Sequence, residues 1–138
     1  MMTFIRFTCF ALVLAAFGFY VIGDWGRVQR TDDLNHVVES LRSYYATTPI
    51  RNDWQISEIV TSPRDIEIRV LVPGSQAAGL VKSPQYVQFV ALGAACPDKK
   101  DPLWQMVDQR QDISVRGKTA TGEMIMDVSC RLFGQFGY

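Results

Sequence analysis

The sequence has little of the chemistry that most enzymes and metal sites need. It contains one histidine, His36, and three cysteines among its 138 residues. His36 follows Leu34 by two positions on a predicted helix, so we expect its imidazole to point away from the apolar stripe, with no nucleophile beside it. The cysteine spacing allows neither a Cys-x-x-Cys redox pair nor a set of zinc ligands. We therefore predict a protein that is not an enzyme and needs no cofactor.

Complete nucleotide-binding motifs are also absent. Residues 74–79 begin like a phosphate-binding loop, but Leu80 and Val81 stand before Lys82, where the motif needs glycine, lysine and a hydroxyl in succession. Residues 98–101 lack the spaced oxygen ligands of a calcium loop. The sequence thus implies no small-molecule substrate.

An excess of charge of one sign is missing as well. Fourteen basic residues balance 14 acidic ones, and no run of five like charges occurs. Nucleic-acid binding is therefore not expected, because it requires a concentrated basic face. With 48% hydrophobic residues, the chain is too apolar for a disordered protein. The composition is that of a small globular domain.

What the sequence does have is an apolar N-terminus. Residues Phe7 to Gly23 carry no charge, and as a helix they would span about 25 Å, short of a membrane core of about 30 Å. Residues 3–5, with Arg6 reaching toward the headgroups, bring the length close to sufficient. We predict a single transmembrane anchor over residues 1–23 and a linker over residues 24–30. Tyr20 and Trp25 would lie at the membrane interface. The alternative is a cleaved signal peptide.

Small residues follow one face of the predicted anchor. Ala11, Ala15 and Gly18 recur at helical spacing, which allows another helix to approach closely. We predict that this face packs against other membrane-protein subunits.

The two cysteines beyond the anchor are expected to pair. Cys96 and Cys130 lie in one small domain behind an export-type segment, and cysteines in that setting usually form a disulfide. The pair predicts a soluble domain outside the cytoplasm, in the bacterial periplasm.

Hydrophobic periodicity predicts an α+β domain over residues 31–132. The pattern indicates a helix at 31–47, a hairpin at 54–61 and 66–72, a loop at 74–82 and a helix at 86–95, followed by a short helix after Pro102 and a second hairpin. This second hairpin would begin at 113–115, turn at 117–122 and return through 124–132. The order αββαββ predicts a four-stranded antiparallel sheet with helices on one face.

Aromatic residues are concentrated at residues 133–138. Phe133, Phe136 and Tyr138 alternate with glycines there, whereas chain ends are usually polar. We predict a tail that binds a partner. In the alternative, the tail folds back onto its own sheet.

Together these features favour a non-enzymatic accessory subunit or assembly factor of a larger envelope complex. It would act through protein–protein contacts of its anchor and its periplasmic domain. The alternative function is an exported periplasmic module that binds a ligand or inhibits a target after its signal peptide is removed.

The mass of the mature chain separates these two predictions. Purified from native membranes, an anchored subunit should retain Met1 and be two hydrogens lighter than the reduced chain. A mature chain that begins near residue 19 or 24 would contradict the anchor.

Overall fold

The computed structural model describes residues 33–51 and 53–136. The chain divides between His36 and Val37, and the packing described below concerns Val37 onward. The elements in order are α1 (33–47), β1 (Gln55–Thr61), β2 (Asp65–Val72), α2 (Gly74–Val81), α3 (Gln85–Gly93), α4 (Leu103–Met106), β3 (Asp112–Thr119), β4 (Met124–Ser129), α5 (Cys130–Phe133) and a 3-10 turn (Gly134–Phe136).

The four strands form one mixed sheet in the order β1-β2-β3-β4. β1 with β2 and β3 with β4 are antiparallel hairpins, but β2 and β3 are parallel, in register from Asp65 beside Asp112 to Val72 beside Thr119. The α+β class and the four strands are confirmed; the purely antiparallel sheet is wrong. The connection through α2, α3 and α4 returns the chain to the end of the sheet where β2 began, so β3 runs beside it in the same direction.

The core lies against one face of the two central strands. Alternate residues of β2 and β3 are almost completely inaccessible to solvent, as period-two side-chain alternation requires: Ile66, Ile68, Val70, Val72, Ile113 and Val115. Leu41 of α1 and Leu92 of α3 are fully buried. Leu92 reaches the sheet because Gly117 has no side chain. A Cβ atom on residue 117 would lie 2.5 Å from Cδ2 of Leu92.

The segment predicted as the loop 74–82 is instead the helix α2. Its two glycines lower its intrinsic helix propensity, so it does not look helical by itself. Packing within the domain stabilises it, because Ala77 is buried and the buried Gln88 side chain donates hydrogen bonds to the carbonyls of Leu80, Val81 and Ser83 at 3.0–3.3 Å. A residue of the next helix therefore caps α2.

The second hairpin also differs from the prediction. β3 continues through Thr119, and Gly122, at φ 86°, supplies the left-handed residue of the tighter turn that follows. Cys130 and Leu132 lie in α5 rather than in a strand. Ser129 ends β4 and caps α5, its hydroxyl accepting a hydrogen bond from the Leu132 amide at 3.2 Å.

The predicted disulfide between Cys96 and Cys130 is present, with the two Cα atoms 5.4 Å apart. It joins the turn after α3 to the first residue of α5 and closes a loop with a sequence separation of 34. Because α5 directly follows β4, the bridge holds the helical layer against the sheet.

The replacement of both cysteines by serine should lower the free energy of unfolding by about 4 kcal/mol, the loop-closure estimate for this separation. Urea denaturation of the variant and of the parent, each with and without reductant, measures the difference. Reductant should destabilise only the parent, and a loss below about 1 kcal/mol would contradict a stabilising role for the bridge.

Candidate functional site

Several predicted site residues lie outside the described part of the chain. These are the helix-packing residues Ala11, Ala15 and Gly18, and the interface residues Tyr20 and Trp25. Among residues 33–51 and 53–136, no helix has the length and apolar character needed to cross a membrane. The anchor and its packing face therefore stay predictions.

The aromatic tail is partly described. Phe133 is half-buried in α5, and its ring lies 5.5 Å from that of Phe89 and fills the space above Gly93. The ring centre of Phe136 lies 6.1 Å from that of Phe89, but the side chain of Phe136 is 66% exposed. Tyr138 lies outside the described residues. Phe133 thus packs on its own domain, whereas Phe136 presents an aromatic surface; partner binding by the tail stays a prediction.

Polar contacts fix the start of α5. Asp112 accepts a short hydrogen bond from the Ser129 hydroxyl. The Arg131 guanidinium donates to the carbonyls of Asp108 and Gln111 at 3.2 and 2.7 Å and lies 5.8 Å from the centre of the Trp104 ring. Because these side chains are already hydrogen-bonded within the domain, we assign no ligand to them.

A concave surface lies between the second half of α1 and the edge strand β1. This α1–β1 groove has a volume of about 400 Å³, within the range of ligand-binding clefts. Its lining combines aliphatic, aromatic and basic side chains: Arg42, Tyr45, Ala46, Pro49, Ile50, Arg51, Trp54, Ile56 and Ile59.

A β-bulge at Ser57 places two isoleucines in this groove. Ile56 stands opposite Val70, and Ile59 stands opposite Ile68, with the register shift between Ile56 and Glu58. Residues three apart on a regular strand would point to opposite faces; the extra residue returns Ile59 to the side of Ile56. The groove therefore depends on this irregularity in β1.

Trp54 provides the aromatic wall of the groove. It is only 7% exposed, and its indole nitrogen donates a 2.7 Å hydrogen bond to Oε1 of Gln76 in α2. The amide nitrogen of Gln76 in turn lies 3.4 Å from the Asp53 carboxylate. The ring is thus fixed in place before any ligand arrives.

Two arginines and a tyrosine complete the groove. The Arg51 guanidinium lies 5.6 Å from the centre of the Trp54 ring, and Arg42 forms a 2.7 Å ion pair with the exposed Glu39. The Tyr45 hydroxyl donates to the Ala95 carbonyl at 2.7 Å. Burial raises the pKa of Tyr45 well above its usual value, and the adjacent Tyr44 adds to the shift. The phenol therefore remains neutral.

A second groove, of about 330 Å³, lies between α1 and α4. Its lining is rich in hydroxyl groups and includes Ser40, Ser43, Thr47 and Thr48 beside Asp101. Asp101 already accepts a hydrogen bond from the Leu103 amide at 2.9 Å and so serves the start of α4. Among the described residues that line this groove, Tyr44 is the aromatic one and none is basic.

The opposite face of the sheet carries an ion-pair network. Glu67 bridges Arg69 at 2.6 Å and Arg116 at 2.9 Å. Arg69 also contacts Glu58 at 2.5 Å, and Arg116 contacts Asp127 at 2.8 Å. These pairs raise the pKa of both arginines, chiefly through the hydrogen bonds that Arg69 donates to Glu67 and Arg116 donates to Asp127. The network joins all four strands, and each of its three carboxylates and two guanidinium groups has a partner of opposite charge. Among the described residues, Nε of Arg116 is buried without a hydrogen-bond partner.

The remaining candidates for chemistry are isolated. His36 is exposed on α1, and the described residues contain no group of three or more histidine, cysteine or carboxylate side chains able to hold a metal ion. Sequence reasoning missed the α1–β1 groove. Its signal in the sequence is Trp54 followed by two isoleucines that break strand alternation.

The hydrogen bond between Trp54 and Gln76 should contribute to stability, because its loss leaves a buried indole N–H without a partner. We expect Gln76→Ala to lower the free energy of unfolding by about 1–3 kcal/mol. Exposed Gln105→Ala is the matched control and should change it by less than about 0.5 kcal/mol. Equal effects of the two variants in urea denaturation would contradict this role of Gln76.

Comparison with known proteins finds a likeness in fold only. No protein-family model matches the sequence, and no curated protein matches it. Among solved structures, a Pseudomonas aeruginosa crystal structure, described as that of a "putative secreted protein", has a TM-score of 0.51. The match covers 72% of this chain and 88% of that chain at 14% identity.

Proposed function

We propose that this chain is a non-enzymatic binding module that acts outside the cytoplasm and docks a partner protein in the α1–β1 groove. The groove itself is the observation that carries this proposal. It joins a rigid tryptophan, two isoleucines and two arginines along an edge strand.

The groove's side chains suit binding better than catalysis. Among the described residues that line it, none is a carboxylate, imidazole, thiol or aliphatic alcohol. Its one phenol, that of Tyr45, is held neutral and donates to a backbone carbonyl. General acid–base catalysis needs a group whose pKa lies near the working pH, within reach of the substrate. The lining supplies no such group.

The composition of the groove favours a protein as its ligand. Tryptophan, tyrosine and arginine are the residues that contribute most to binding energy at protein interfaces. Trp54 and Tyr45 are anchored by hydrogen bonds at 2.7 Å, so little side-chain freedom is lost on binding. An aromatic wall beside arginines is typical of an interface core with a polar rim.

The disulfide supports a location outside the cytoplasm, because such bonds persist in oxidising compartments. The description of the structural neighbour as secreted agrees with this location. In the form we favour, the predicted anchor is retained. The protein is then an accessory subunit or assembly factor whose anchor packs on partner helices while the groove engages a neighbour outside the membrane.

A freely exported module is the second candidate. The secreted neighbour favours it, and the groove would serve it equally well. It differs from the anchored subunit only in losing its N-terminal segment, so the same groove variants test both forms.

Filling the groove should release the partner. We expect Ala46→Trp to reduce the amount of partner that co-purifies with the full chain by about tenfold, the effect of losing roughly 1.4 kcal/mol of binding. Ala46 is exposed on α1 and lines the groove, so the larger side chain blocks it without entering the core. The readout is quantitative mass spectrometry after mild detergent extraction from native envelopes.

Ala78→Trp is the matched control, because Ala78 is exposed on α2 and does not line the groove. It should leave the partner bound. The proposal is contradicted if no stoichiometric protein accompanies the wild-type chain, or if Ala46→Trp retains it as well as the control does.

A further inference from the structure

We infer that the partner enters the α1–β1 groove as an extended acidic and apolar segment that pairs with the edge of β1 as a fifth strand. This inference rests on the proposed function and specifies its ligand. Its carboxylate would bind Arg51, and its apolar side chains would contact Ile56 and Ile59.

The position of β1 in the sheet provides the backbone half of such a site. Among the described residues, β1 pairs only with β2. A strand paired on one side presents alternate amides and carbonyls along its other edge, ready to bind an added strand. β1 has seven residues, which is about 23 Å of edge.

The bulge in β1 provides the side chains of such a site. Because Ile56 and Ile59 both face the helical side, the apolar groove runs beside the edge of β1. In an added strand, alternate side chains would enter the groove and the others would lie on the opposite face, beside exposed Glu58. A ligand strand should therefore have apolar residues at every second position.

Charge complementarity selects an acidic segment. Within the described part of the chain, Arg51 has no carboxylate at ion-pair distance, although its guanidinium is oriented over Trp54. Arg42 is paired with exposed Glu39, and exposed pairs of this kind are weak and easily exchanged. Two arginines at one groove thus offer planar, bidentate donors to ligand carboxylates.

Other occupants fit these observations less well. A lipid chain would leave the amides and carbonyls of β1 without partners in contact with hydrocarbon, which is unfavourable. A second copy joined through β1 brings only one acid on that strand, Glu58, and it is already paired with Arg69. The extended acidic segment satisfies the backbone edge, the isoleucines and the arginines together.

Selection from a displayed library of random peptides on the full wild-type chain tests this inference. Peptides that bind the wild-type chain but not Ala46→Trp should alternate apolar residues and contain aspartate or glutamate. A selected peptide should bind Arg51→Glu at least about tenfold more weakly than wild type, the size expected for one lost charge-assisted contact. Arg64→Glu, an equal charge change at an exposed turn position, should bind normally.

Two further measurements test the geometry. A counterpart peptide with lysine in place of its acids should prefer Arg51→Glu over wild type. N-methylation of every second peptide amide should abolish binding when the methylated amides face β1. Methylation of the other set should leave binding intact, because those amides point away from β1.

Several results would overturn the inference, the first two its acidic ligand and the third its strand addition. These are groove-dependent peptides without acids, equal binding by Arg51→Glu and Arg64→Glu, or tolerance of N-methylation in both sets of amides. Groove-dependent binding of phosphatidylglycerol vesicles, or an Ala46-sensitive dimer in sedimentation, would assign the groove to a lipid or to a second copy. If Ala46→Trp releases the native partner but no peptide is selected, docking in the groove stands and strand addition is wrong.

Discussion

The parallel pairing of β2 with β3 is the constraint on which the rest of the domain depends. Eight residue pairs align from Asp65 beside Asp112 to Val72 beside Thr119, so the two hairpins become one sheet with a buried centre. This pairing leaves β1 and β4 at the edges. The second edge leads directly into α5, which the disulfide between Cys96 and Cys130 ties to the helical layer. The first edge borders the α1–β1 groove, and function is proposed there.

The features that could be predicted from sequence are local ones. The alternation of Ile66, Ile68, Val70 and Val72 predicts β2, and helical spacing predicts α1, because each pattern reports one buried face. Parallel pairing could not be predicted, since alternation shows which face is buried but not which strand lies alongside. The helix α2 was missed because it depends on contacts outside its own sequence, including the hydrogen bonds that Gln88 of the following helix donates to its last carbonyls. The disulfide was predictable from cysteine number and expected compartment alone.

The candidate site was missed for a related physical reason. β1 looks poorly patterned because the bulge at Ser57 interrupts its alternation, and the same interruption directs Ile56 and Ile59 into the groove. Trp54 is also unremarkable in one dimension, since its role depends on a hydrogen bond to Gln76 in α2. Irregular strands are common beside functional sites because a bulge re-aims side chains without loss of the sheet. An irregular pattern in an edge strand is therefore informative about function.

The central claim is that a partner occupies the edge of β1. Amide hydrogen exchange along the chain, measured by mass spectrometry with and without the co-purified partner, tests it most directly, because pairing slows exchange of the newly bonded amides. The account predicts slower exchange in Gln55–Thr61 when the partner is bound, with Met124–Ser129 at the opposite edge unchanged. Protection confined to Met124–Ser129, or no protection of β1 in a stable complex, would contradict it.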